Sequence, residues 1–390
     1  LREKISELDK PSGIKGNELL RSETSQEVRD LIGSGRKNKL FNGDMKIDQR
    51  GSSFTSVGSS ANTFTLDRWK FYVQNSTARF TVTKDSDSPD DFGGSMKIEC
   101  TTTDTSLAST DEVYLEQRLE GQNLQDFAKG TRSAKEYTLS FYVKTNKLGT
   151  YIVNLLGRDN TTSTCSAAYT VNDTNWNRYT VTLPADTNSS RKDNNDNGEA
   201  LRVLWWFVAG SAVNTTTLAT TWRNSTDTGR AAGQINFADS TSNEFFLTGC
   251  QLEVGRNVTE FEHRSYGEEL RLCQRYYTKS YNHDVAPGTN TMVGTRWGRN
   301  YDPTDSRSAN VAAVSFPVTM RATPDMTFRG VHTGATGKWT TGANNPDASN
   351  TDMDVNSLYD LSDKGFSTMS SNNVGASNFF GGHYEANAEF

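Results

Sequence analysis

From about Lys39 to Glu260 apolar and polar residues alternate with a period of two, the pattern of strands that bury one face. "RWKFYV" sets Trp69, Phe71 and Val73 on one side, and "RFTVTK" does so with Phe80 and Val82. "SMKIEC" contributes Met96, Ile98 and Cys100; "EYTLSFYVK" contributes Tyr137, Leu139, Phe141 and Val143; "NRYTVTLP" contributes Tyr179, Val181 and Leu183. Turn-rich stretches such as residues 85–91, DSDSPDD, separate these runs. Many short strands with one apolar face predict two antiparallel sheets packed face to face, a jelly-roll β-sandwich. One run departs from the pattern. "LRVLWWFV", residues 201–208, is apolar on both faces. It predicts a central strand covered on both sides, with the alternative that Trp205 or Trp206 lies open as a sugar-stacking platform.

The alternation ends in "QLEVGRNVTEFEHRSYGEELRLCQRYY", residues 251–277. Ser265-Tyr-Gly-Glu268 fits a capping box, in which the Ser side chain and the Glu side chain satisfy each other's orphan backbone N–H groups. A short helix is expected over 264–278, with Leu270, Cys273 and Tyr277 on the face that docks and sets the angle of a second β-domain. That domain, 279–390, carries strands ending at Phe316-Pro317 and around Met326–Phe328, and an aromatic close, "NFFGGHYEANAEF". Residues 333–357 are so rich in Thr, Gly, Asn, Asp and Ser that they read as a long loop. With few large apolar residues, the domain is expected to borrow burial from a neighbouring copy. At the other end, residues 1–37 are charged with sparse apolar anchors. Thr24-Ser-Gln-Glu27 is a second capping box, and Gly33 stands where a short helix would stop. A helix so short needs a surface to dock on, so this stretch reads as an attachment or assembly segment.

The expected architecture is therefore all-β: a helical N-terminal segment (1–37), a jelly roll (38–263), a connecting helix (264–278) and a smaller C-terminal β-domain (279–390). Composition agrees, because hydrophobic content is only 34% and the remainder favours Thr, Ser, Asn, Asp and Gly, which break helices. The formal charge of −6 and the absence of Lys/Arg runs remove the electrostatic footprint of a nucleic-acid binder. No apolar run reaches the length of a transmembrane helix, so membrane insertion is not expected. The four cysteines lie far apart, which predicts free, mostly buried thiols rather than a disulfide or zinc framework.

Catalytic constellations are absent from the sequence: it has no P-loop, no H-E-x-x-H, no G-x-S-x-G and no C-x-x-C. The acidic groups at 85–91 and at Glu116 and Glu120 read as solvated surface rather than as the paired carboxylates of a glycosidase. "DNNDNGE", residues 193–199, opens like a calcium loop with Asp193, Asn195 and Asn197, but the twelfth position is Leu204 instead of Glu. A solvated Asn/Asp loop is the reading there, with calcium as the alternative; no other cofactor is expected.

Several motifs resemble those of bacteriophage tail fibre and related virion structural proteins: "NKLFNGDMKIDQRG" (38–51), "TLDRW" (65–69), "EYTLSFYVKTNKLGTYIVNL" (136–155), the joint at 251–277 and "FPVTMRATP" (316–324). The resemblance covers about residues 38–330. It implies a jelly roll similar to carbohydrate-binding modules, on a fibre that is commonly trimeric and sits on the virion tail. These are packing and corner motifs, so no receptor-binding residue is carried over. On this basis the chain is expected to be a non-enzymatic, homotrimeric tail fibre that attaches to a host-surface glycan or protein and docks on other tail proteins through residues 1–37. The alternatives are a structural head fibre or tail adaptor and, third, a polysaccharide-degrading tailspike. The joint residues Ser265, Glu268, Leu270, Cys273 and Tyr277 are expected to be structural.

Overall fold

The computed structural model describes Arg21 and residues 36–390, except 59–61, 216, 227, 300–308, 311–312, 344–350, 356 and 371–377. The segment expected to attach or assemble, with its Thr24–Glu27 box and Gly33, lies outside the described residues.

The sandwich is built from β1 (Ser53–Gly58), β2 (Asn62–Phe64), β3 (Lys70–Gln74), β4 (Arg79–Asp85), β5 (Ser95–Thr102), β6 (Glu112–Glu120), β7 (Tyr137–Thr145), β8 (Gly149–Gly157), β9 (Ser163–Val171), β10 (Asn177–Leu183), β11 (Glu199–Ala209), β12 (Arg223–Asn224) and β13 (Glu244–Val254). One sheet runs β1-β4-β5-β13-β7-β10 and the other β12-β9-β8-β11-β6-β3-β2, with antiparallel pairing throughout. This is the all-β jelly roll that the alternation predicts. Tyr137, Leu139, Phe141 and Val143 of β7 all face the inter-sheet core, and in β10 Val181 stands opposite Leu139 and Tyr179 opposite Phe141. Aromatic rings knit the core: Trp205 meets Trp69, next to β3 of its own sheet, edge-on at 5.4 Å and reaches Phe141 of the opposite sheet at 5.6 Å. Such contacts add about 1 kcal/mol each beyond the area they bury. All four cysteines are free and buried.

The central strand β11 has its second apolar face covered by the chain itself. Leu204 and Trp206 pack with Tyr114, Ile152 and Leu156 on the outside of the seven-stranded sheet, beneath Val213, Leu218 and Ala231 of the excursion between β11 and β13.

After β13 the chain forms one α-helix, α1 (Tyr266–Gln274), and then β14 (Tyr277–Lys279), β15 (Arg296–Arg299), β16 (Ala309–Asn310), β17 (Val314–Ser315), β18 (Asp325–Arg329), β19 (Lys338–Ala343), β20 (Thr351–Asp354), β21 (Ser357–Ser362), β22 (Gly365–Ser370) and β23 (Asn378–Asn387). The long β23 organises this unit by pairing with β14, β15, β18 and β19. Around it a small core forms from Phe316, Phe328, Trp339, Phe366, Phe380 and Tyr384. Two expectations need correction here. Part of 333–357 is strand rather than loop: β19 pairs with β20 and is anchored by the fully buried Trp339, whose Nε1 donates to the His383 carbonyl at 2.7 Å. The helix also stops earlier than expected, so Tyr277 lies in β14 opposite Asn387 and not on a helical face.

Candidate functional site

The residues singled out from the sequence fall in separate places. Trp205 is fully buried in the inter-sheet core and Trp206 is buried beneath the excursion, so neither offers an open ring for a sugar. The reason is physical. A strand apolar on both faces is stable only when both faces are covered, and a short run of sequence does not say what covers the second.

The candidate calcium loop is also otherwise engaged. The Asp193 carboxylate is paired with the buried Lys129 ammonium at 3.0 Å, while Asn197 donates to the Arg321 carbonyl at 2.5 Å and Asn195 is exposed. Burial pushes the Asp193 carboxyl up, and Lys129 opposes that shift. The three side chains thus have different partners, and Lys129 already supplies the cation. Among the described residues no cluster of three or more His, Cys, Asp or Glu side chains is arranged for a metal.

At the joint, Ser265 accepts from the Glu268 backbone N–H at 3.3 Å, but the Glu268 side chain does not close the box; it pairs instead with Arg36. The next residue makes the stronger attachment. The buried Glu269 carboxylate accepts from the Asn42 N–H at 2.6 Å and from Arg264 at 3.4 Å. Leu270 and Cys273 pack on Ile47 of the sandwich. The contact between the two β-units is rich in charge. Arg68 ion-pairs with Glu389 while its guanidinium lies 3.4 Å over the Tyr276 ring, and Arg50 lies 3.8 Å over Tyr277. The fully buried Glu120 accepts from Arg275 Nε and Nη2 at 2.8 and 2.7 Å, from Gln122 at 2.6 Å and from the Tyr276 hydroxyl. Burial pushes its carboxyl up, but the bonds from Arg275 and Tyr276 prevail and hold it below the usual carboxylate value.

Beside this joint a groove of about 600 Å³ opens between the sandwich and the C-terminal unit, lined by Lys46, Asp48, Lys84, Tyr266 and the loop Tyr281–Asp284. Its sandwich wall depends on a tight turn. Gly43 packs so close to the Cys250 carbonyl that a Cβ would stand 2.2 Å from that oxygen. Asn42 (φ 53°) then ties the turn together, donating to the carbonyls of Ile47 and Asp67 and accepting from the Ile47 N–H. Lys46 and Asp48 leave this turn toward the groove. Lys84 donates to Asp48 Oδ1 at 3.0 Å and to the Lys46 carbonyl at 2.8 Å, which fixes the carboxylate.

On the opposite wall, Tyr281 is buried and stacked on His383 at 3.6 Å, which anchors the exposed Asn282, His283 and Asp284. Tyr266, the first residue of α1, is 49% exposed, one of the few large apolar side chains open to solvent among the described residues. Partial burial, followed by the nearby Asp48 charge, raises the Tyr266 phenol, so its hydroxyl stays protonated and can donate.

Two lysines and two aspartates line this groove, alongside one open ring and an exposed amide and imidazole. An aromatic face with mixed donors and acceptors suits a polyol: the ring receives its C–H face and the carboxylates accept from its hydroxyls. The sequence showed Tyr266 only as a position inside a capping box. Its partners come from three separated segments, and no local signal joins them.

No family model matches the chain, and no curated protein does. Among solved structures, the enzymatically active domain of tailspike protein 4 of bacteriophage CBA120 is 10% identical over 56% of this chain, with a TM-score of 0.28. The present chain covers only 21% of that protein's length. A sugar-binding protein of Bacteroides thetaiotaomicron, described as such provisionally, is 10% identical over 56% of this chain and 100% of its own (TM-score 0.29). A family 11 carbohydrate-binding module of Clostridium thermocellum is 12% identical over 55% of this chain and 99% of its own (TM-score 0.26). Likeness this slight supports no argument, and the jelly-roll assignment rests on the sheet topology.

Proposed function

We propose that this chain is a non-catalytic attachment component of a phage virion, a tail fibre subunit that binds a neutral host-surface glycan in the groove between its two β-units. The observation that carries the binding site is the half-exposed Tyr266 ring, placed where Asp48 and Lys84 of the sandwich face Asn282, His283 and Asp284 of the C-terminal unit. Balanced charge in the groove favours a neutral sugar over an anionic one. The phage assignment rests on the motif resemblance in residues 38–330. Trimeric assembly fits this role, since three weak sites on one rigid body bind far more tightly than one.

The test is adsorption of the fluorescently labelled protein to host cells, followed by incubation with purified surface polysaccharide. Saturable adsorption blocked by the polysaccharide, with no release of reducing ends, is the expected result. Release of reducing ends would make the protein a depolymerase, and binding only to other virion proteins would make it an adaptor.

A further inference from the structure

Outside the groove, the outer face of the seven-stranded sheet carries a charge cluster that the proposed glycan site does not use. Lys70 of β3 stands directly opposite Glu116 of β6, and Arg118 of β6 stands directly opposite Arg202 of β11. Like charges in directly opposed positions repel, and two carboxylates hold them together. Glu116 accepts from Arg118 Nε at 2.8 Å and pairs with Arg202 at 3.5 Å. Glu199 takes Arg202 through Nε at 2.5 Å, Arg118 at 3.2 Å and Arg158 at 3.4 Å. Lys70 is left over. It is 8% exposed, and among the described residues its ammonium has no hydrogen-bond or ion-pair acceptor, only the Phe64 ring at 5.2 Å. Four cations therefore share two carboxylates on one side of an acidic protein. Burial first, and then Arg118, lowers the Lys70 ammonium, with Glu116 acting against them.

The Lys70 stem is buried while its ammonium still reaches solvent, so an anion arriving from that side can pair with it. The cluster still opens to solvent, since the Arg118 and Arg202 side chains are 13% and 15% exposed and Tyr72 beside them is half-buried. We propose that Lys70, with Arg118 and Arg202, forms a binding site for an oxyanion group, the carboxylate of a uronic acid or the sulfate or phosphate of a substituted glycan. A bound oxyanion would accept from the Lys70 ammonium and balance the excess charge of the two arginines, whose guanidinium groups are held in place by Glu116 and Glu199. This site is separate from the interdomain groove and does not depend on the glycan reading of that groove.

The experiment is thermal melting of the full chain against increasing sodium glucuronate, sulfate or phosphate, with sodium chloride at matched ionic strength as the baseline. At least one anion is expected to raise the melting temperature saturably above the chloride baseline, and the anion that does so identifies the source. Lys70→Met removes the unpaired charge. It is expected to fold and to weaken the saturable response at least tenfold, while Lys70→Arg retains it. If no anion exceeds chloride with the wild-type chain, the proposal is overturned whatever the variants do. An equal saturable response in Lys70→Met would also overturn it.

Discussion

Replacing Glu120 by Ala removes the acceptor at the centre of the contact between the two β-units. Arg275 loses bonds of 2.8 and 2.7 Å, and the buried Tyr276 hydroxyl loses its carboxylate partner. Breaking one side of a buried charged pair costs about 3–5 kcal/mol. The Arg275 side chain is 28% exposed and recovers some hydration, so about 2–4 kcal/mol is the better figure here. For a unit of roughly a hundred residues, each kcal/mol moves the melting temperature by about 4–8 °C. Differential scanning calorimetry should therefore show the C-terminal unit melting at least about 8 °C lower, as a separate transition ahead of the sandwich. The pH dependence has a definite sign. The Glu120 carboxyl is held below its ordinary value in the fold, so its contribution is present above the unfolded carboxylate value and is lost as pH falls through the folded one. The gap between wild type and Glu120→Ala should accordingly close in acid, only as pH falls below the ordinary glutamate value. A variant that melts with the wild-type profile at pH 7 would refute the reasoning and show the contact to be carried by packing alone.

Two other outcomes follow from the same structure. Because Lys129 occupies the Asp193 carboxylate, millimolar calcium should leave the melting temperature unchanged, and a chelator should not lower it; a saturable rise with calcium would restore the metal reading of that loop. Light scattering should give a mass near three copies of the 43.2 kDa chain, and a stable monomer would remove the trimeric fibre from the proposal.

What could be read from the sequence follows how far along the chain each signal extends. Two-residue alternation is local, so the inward sets of β7 and β10 stand out, and the doubly apolar run of β11 shows that both its faces need cover. The cover over Trp206 comes from Val213, Leu218 and Ala231, residues without a periodic pattern, so the choice between a covered and an open ring needed three dimensions. The cap on α1 was visible because it spans four residues. The closing bond expected from Glu268 does not form, because Arg36, distant in sequence, competes for that carboxylate. Tyr277 continues the helical spacing on paper, but pairing with β23 offered its backbone a better ladder, and tertiary context overrode the local pattern. The strands in 333–357 were hidden by polar composition, in which Trp339 is an isolated, fully buried anchor. The groove was least legible, since residues 46–48, 84, 266 and 281–284 meet only after both units have folded and docked.

The measurement that tests the account most directly is calorimetric titration of purified host-surface polysaccharide into wild-type protein and into Tyr266→Ala. Tyr266 is half-exposed, so its truncation should leave the stability within about 0.5 kcal/mol of wild type. Saturable binding to the wild type and at least tenfold weaker binding to the equally stable variant are expected. Equal affinity in the two proteins would place the glycan elsewhere and contradict the groove as the attachment site.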